Sequence, residues 1–262
     1  MRPLLALLVG LVACAFQAAP APRTPAGSGP FRDWAAVVVA GDWRASGGGE
    51  TKAFENARRD VARALIRAGF APANVKSFGI DPKEPGVDET DGRALASGLR
   101  ELTGRARGGC LVYLTSHGSP QGAVFGRNGL LAPAVLDRLL DATCDGRPTV
   151  VFVSACYSGV FVPALAQPNR MVITAARRDR SSFGCGVDDV YPFFDACVLQ
   201  AWPGSRDFMG LARTVQTCVS DREHLLKLVP PSEPQVFAGA QIRPLLPLLP
   251  LQPAPAPRPP SI

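Results

Sequence analysis

The sequence predicts an α/β fold, a three-layer sandwich in which a mostly parallel, twisted sheet carries helices on both faces. Three observations lead there. Short apolar, β-branched runs alternate with amphipathic stretches of helical length. The strongest runs, Cys110–Leu114 and Thr149–Val153, lack the polar alternation of a half-exposed strand, as strands buried on both faces must. The segment between them holds the periodicity of one helix, which makes a βαβ crossover with parallel strands that are adjacent or nearly so. With 262 residues, 47% hydrophobic and 19% charged, the chain can build one such core and is not a disordered or fibrous polymer.

The elements follow in order. Residues 35–40 form a strand around Val37-Val38-Val39, ending at Gly41-Asp42 before a loop with three glycines, Gly47 to Gly49. Residues 51–68 read as a helix with Phe54, Val61, Leu65 and Ile66 on one face and arginines on the other, stopped by Gly69. A short strand at 75–78, a polar loop at 81–91 and a helix at 92–102 come next. The strand at 110–114 ends in Thr115-Ser116-His117-Gly118, and a helix spans 130–142. The strand at 149–153 runs into Ser154-Ala155-Cys156-Tyr157-Ser158-Gly159, and another strand occupies 171–174. A loop of Arg, Asp, Ser and Gly then leads to helices at 191–201 and 208–219.

The ends have a different composition. Met1-Arg2-Pro3, the apolar run Leu4–Val12 and the small residues after it have the layout of an export signal over residues 1–20. Beyond it no uninterrupted apolar segment approaches the roughly 20 residues of a membrane helix, since Pro247 and Pro250 break Leu245–Leu251. The mature chain is therefore expected to be soluble or lipid-anchored. Leu11-Val12-Ala13-Cys14 resembles a bacterial lipobox, so lipidation of Cys14 stands beside ordinary cleavage at Ala15, Ala18 or Ala19. Periplasm, outer-membrane anchorage or secretion all fit. Residues 21–33 read as a flexible linker, 34–242 as the catalytic domain and 243–262 as a Pro-rich disordered tail.

Charge and cysteine usage narrow the function. Lys+Arg number 28 against 22 Asp+Glu, for a formal net charge of +6, but the arginines are scattered and form no basic stripe, so a nucleic-acid partner is not expected. The seven cysteines include no CxxC pair and no His/Cys spacing suited to zinc, so no metal and no cofactor are expected. Export favours disulfides among Cys144, Cys185, Cys197 and Cys218. Cys110 reads as a small buried hydrophobe and His224 as a half-buried helix position. If Cys14 is processed and one thiol is catalytic, five cysteines remain, which leaves another free thiol or an intermolecular bridge.

Ligands of open α/β sheets bind outside the carboxyl ends of the strands. His117 and Cys156 stand at two such ends, and strands about 4.8 Å apart bring imidazole and thiol within reach of each other. A thiolate is the reactive form of cysteine, and an adjacent imidazole activates it. Backbone N–H groups of Cys156 and Gly118 are placed to meet a developing oxyanion. Acyl transfer is the implied reaction.

These residues resemble a known class. An apolar strand followed by Ser-His-Gly, and another followed by Ser-Ala-Cys, are similar to the caspase–hemoglobinase cysteine peptidases, and within them to the legumain family. His117-Gly118-Ser119, with Phe125 nearby, resembles that family's His-Gly-Ser segment, and Ala155-Cys156-Tyr157-Ser158-Gly159 its Ala-Cys-x-Ser-Gly. Thr174-Ala175-Ala176 and Ser181-Ser182-Phe183-Gly184-Cys185 resemble its Thr-Ala-Ala and Ser-Ser-aromatic-x-Cys stretch. The likeness spans about residues 34–238, with Pro231-Ser232-Glu233-Pro234-Gln235 similar to shorter bacterial relatives.

The resemblance implies Cys156 as nucleophile, His117 as general base and Gly118 N–H as oxyanion donor, with Asn56 as candidate to orient the imidazole. It also implies a pocket for a substrate Asn or Asp side chain. The candidates are Arg58, Ser181, Ser182 and Asp188, together with Ser154, which stands where the family has an acidic residue. The expected protein is a monomeric, exported cysteine endopeptidase acting on peptides or proteins. A transamidase using the same dyad, an inactive envelope binding module and a thiol redox protein are the rivals.

Overall fold

The computed structural model describes residues 29–251; the export signal and Cys14 lie outside the described residues. Ten strands and six α-helices succeed one another in the order β1 (Trp34–Ala40), α1 (Ala53–Arg67), β2 (Val75–Gly79), β3 (Val87–Glu89), α2 (Gly92–Arg105), β4 (Gly109–Thr115), β5 (Gly118–Ser119), β6 (Gly122–Phe125), β7 (Gly129–Leu131), α3 (Pro133–Cys144), β8 (Thr149–Ser154), α4 (Phe161–Leu165), β9 (Arg170–Thr174), α5 (Phe193–Ala201), α6 (Phe208–Leu225) and β10 (Gln235–Ala238). Seven strands make the main sheet in the order β10-β9-β8-β4-β1-β2-β3. All pairs are parallel except β10 with β9.

The period-two alternation of side chains divides the core into two layers. Val38, Tyr113, Phe152 and Ile173 face α1, α5 and α6; Val37, Val112, Val151 and Val172 face α2, α3 and α4. The three central strands are buried at every position, which is why they read as unbroken apolar runs. Asp91 caps α2 by accepting from the N–H groups of Arg93 and Ala94. At the start of β9, the buried Arg170 ties the sheet to α3 through Asp137 (2.7 Å) and Asp141 (2.6 Å).

The structure revises several sequence expectations. The polar loop at 81–91 contains the edge strand β3, and residues 118–131 form a separate antiparallel sheet, β5-β6-β7. Residues 29–33 are not linker: Phe31 is fully buried and stacks on Phe70 at 4.8 Å. The tail expected from residue 243 instead packs through Leu246 and Leu251 as far as the described residues extend. Cys110 is no free hydrophobe but is bridged to Cys144, while Cys197 is bridged to Cys218. His224 is exposed.

Candidate active site

The strand order reverses between β1 and β4: the chain proceeds from β1 to β2 and β3 on one side, and from β4 to β8 and β9 on the other. The loops leaving the carboxyl ends of β1 and β4 therefore part, and a crevice opens between them. Thr115 of β4 lies opposite Ser154 of β8 in the parallel register, and Ser116 N–H extends the ladder to the Ser154 carbonyl. His117 and Cys156 each follow two residues beyond that pair, so the topology sets them side by side. One residue later the backbones still lie so close that a Cβ on Gly118 would overlap the Cys156 carbonyl oxygen and stand 3.0 Å from the Ala155 Cβ.

The turn after β8 explains the rest of the Ala-Cys-Tyr-Ser-Gly run. Tyr157 is left-handed, with φ of 57°, an uncommon conformation for a residue with a side chain. Its N–H is held by the Arg180 carbonyl at 2.7 Å. Ser158 Oγ accepts from Ala176 N–H, and Gly159 lets residues 176–178 pass against it.

The imidazole is fixed by groups from the loop after β1 and from the first turn of α1. His117 Nε2 lies 2.8 Å from the Arg44 carbonyl oxygen. A carbonyl only accepts, so Nε2 carries the proton and Nδ1 keeps the free lone pair of a base. Phe54 packs against the ring in a T-shaped contact at 5.1 Å. Arg44 is itself placed by the buried Asp42, whose carboxylate accepts from Trp43 N–H (2.8 Å), Arg44 N–H (3.2 Å) and Arg44 Nε (2.9 Å). Arg44, Asp42 and Phe54 were not singled out as site residues from sequence. Gly41-Asp42 at the end of a buried strand was their only signal.

The loop over residues 180–192 closes the other side. Cys156 Sγ accepts from Ser182 N–H (3.3 Å) and lies 3.5 Å from the Ser182 carbonyl and 3.7 Å from its hydroxyl. Cys185 Sγ stands 3.9 Å from His117 Nδ1. Burial, and then the neighbouring Cys156, push the Cys185 thiol up to about 11, so it stays protonated at neutral pH.

Other predicted site residues lie elsewhere. Asn56 donates to the Val190 carbonyl, and the imidazole partner is Arg44 instead. Arg58 is buried rather than on the outer face of α1, and its guanidinium is occupied by Glu55 (2.7 Å) and Glu84 (3.0 Å). Ser154 faces α5, where it donates to Asp195 at 2.7 Å, because its alternation matches Phe152 rather than the crevice. Ser181 is half-buried in the closing loop, whereas Asp188 is exposed and the loop is braced by Asp189, which accepts from Gly186 N–H. Of the proposed pocket residues, Ser182 alone contacts the nucleophile.

Comparison with known proteins agrees with this architecture. A caspase-1 from Spodoptera frugiperda superposes with a TM-score of 0.56 at 12% identity, covering 79% of this chain and 86% of that one. A protein of Geobacter sulfurreducens superposes at 0.57 with 16% identity, covering 81% and 96%. At these identities the likeness is one of fold. No curated protein sequence matches the chain. The model of the peptidase C13 family matches residues 89–217, the segment that carries both strand-end motifs. Residues 89–217, with the motifs at the ends of β4 and β8, thus match the peptidase C13 family, and the chain is legumain-like in that sequence and caspase-like in its fold.

Proposed function

We propose that the protein is an endopeptidase that hydrolyses peptide bonds through Cys156 and His117. The β4–β8 register carries this reading, because it sets thiol and imidazole at neighbouring strand ends with Gly118 in close approach to the Cys156 backbone. His117 Nδ1 takes the Cys156 proton, and the thiolate attacks the scissile carbonyl. The amide of Gly118 is suited to the oxyanion. Val124 N–H binds the His117 carbonyl, which makes Gly118 and Ala123 a non-hydrogen-bonded pair and turns the Gly118 N–H away from β6. The imidazolium then protonates the leaving amine, and water resolves the acyl-thioester.

The side chain cleaved after is proposed to be Asn or Asp, with Ser182, which touches the nucleophile, and its loop neighbour Ser181 as the candidate polar groups. Export, as periplasmic, outer-membrane-anchored or secreted protein, is part of the same proposal. The two disulfides support it, since they belong to an oxidising compartment.

The test is an electrophilic peptidyl probe ending in Asn or Asp, applied to wild type and to Cys156→Ala. Wild type should be labelled at Cys156 and should cleave the matching peptide, and the variant should do neither. Absence of both labelling and turnover in wild type would leave an inactive binding module, and diversion of product by added amines would mark a transamidase.

A further inference from the structure

The cysteines of the described residues sort into two kinds. Cys110–Cys144 and Cys197–Cys218 are bridged within the core layers, and the two that remain free, Cys156 and Cys185, converge on one crevice. Ser182 touches Cys156 Sγ through its amide, and three residues later on the same loop Cys185 Sγ faces the imidazole that stands beside Cys156. Both cysteines are only partly buried. The residue between loop and thiol is Gly184, at φ of 88°, where the chain bends toward the crevice.

We propose that Cys156 and Cys185 form a reversible disulfide with one another, which makes the crevice a site for low-molecular-weight disulfides of the glutathione type. The Cys156 thiolate attacks one sulfur of R–S–S–R, forming a Cys156–S–S–R bond and releasing R–S⁻. Cys185, its proton taken by His117 Nδ1, attacks the Cys156 sulfur; the Cys156–Cys185 bond forms and a second R–S⁻ leaves. The two released thiolates take up the protons. Two protein thiols are oxidised and one external disulfide is reduced to two thiols.

The roles of the two cysteines follow from their surroundings. Cys156 is the nucleophile of the peptidase reading, on which this assignment rests, and its sulfur accepts the Ser182 N–H, whereas burial keeps Cys185 a thiol until the imidazole acts on it. Cys156 is therefore the attacking group and Cys185 the resolving one. The bond would occupy the nucleophile and hold it out of reach of a peptide until a reductant restores it.

Peptide mass mapping under non-reducing conditions tests this without any need for turnover, so its result is separate from that of the endopeptidase reading. The whole purified protein is incubated with oxidised glutathione, quenched with N-ethylmaleimide and digested. Expected in wild type are the Cys156 and Cys185 peptides joined and lighter by two hydrogens than their sum, with both cysteines alkylated again after mild dithiothreitol. In Cys185→Ser the same treatment should leave glutathione on Cys156, at least tenfold more than in wild type. A persistent Cys156–glutathione adduct in wild type, full alkylation of both thiols, or Cys185 joined to Cys197 or Cys218 would each overturn the proposal.

Discussion

Gly118→Ala should lower kcat/KM for a cleaved peptide by about 10²-fold or more while leaving a folded, cooperative protein, because displacing reacting groups by an ångström costs about that much. The new methyl group would collide with the Cys156 carbonyl oxygen, with the Ala155 Cβ 3.0 Å away. None of these belongs to a flexible side-chain end that can step aside. The strand ends must separate, and the separation falls between the residues that carry the base and the nucleophile. His117 cannot follow freely, since its Nε2–H is fastened to the Arg44 carbonyl and its ring to Phe54. Gly104→Ala is the control: its methyl group meets nothing within 4 Å near the end of α2, so activity should equal wild type, and thermal stability should stay level or rise. Peptide turnover and thermal melts of the two variants decide the matter, and unchanged turnover in Gly118→Ala would defeat the assignment of Gly118.

Substitution of Asp195 should produce the largest change in stability. Its carboxylate lies fully buried under β4 and β8, accepting from Tyr113 Oη, from Thr115 Oγ1 at 2.9 Å and from Ser154 Oγ at 2.7 Å. Burial raises its pKa from the usual 3.8 to about 6 against the pull of those three hydroxyls. The folded chain thus holds this proton more tightly than the unfolded chain. The group's contribution is fully present below about pH 4 and is lost as pH rises through about 6, a difference of roughly 3 kcal/mol. Asp195→Asn cannot titrate and keeps an acceptor, so denaturant unfolding of wild type minus that of Asn should slope downward between pH 4 and 7. Asp195→Leu strands three buried hydroxyls and should cost about 3 kcal/mol or more at pH 5. Parallel pH profiles for wild type and Asp195→Asn would contradict the burial argument.

Much of this architecture was legible in the sequence because hydrophobicity alone decides it. β1, β4 and β8 have both faces covered and so announce themselves as apolar runs, and β4 and β8, expected to be parallel and adjacent or nearly so, are parallel neighbours. The elements that escaped notice are short or lie at the margin. β3 and β10 are edge strands of three and four residues, and β5–β7 owe their pairing to glycine turns rather than to patterning.

At the candidate site, the placing of His117, Gly118 and Cys156 at neighbouring strand ends was readable because strand ends can be located from the strands. The orienting groups were not, since they depend on where loops return in space. Asn56 lies 16 residues after the end of β1, inside α1, and Arg44 takes its place through a backbone carbonyl that no side-chain pattern reveals. Ser154 and Arg58 fail for another reason: each lies close in sequence to a plausible position but points into a layer of the sandwich. The cysteine count, with Cys14 processed and one thiol catalytic, left either another free thiol or an intermolecular bridge, and among the described residues Cys185 is free beside Cys156.

The bridge from Cys110 to Cys144 joins the beginning of β4 to the end of α3, enclosing the whole β5–β7 hairpin. The tip of that hairpin, Arg127 and Asn128, is exposed. A cut there would divide the chain between the piece bearing His117 and the piece bearing Cys156, yet the halves would migrate as one molecule until reduced. The covalent tie would thereby keep the two motif-bearing pieces joined after a nick between them.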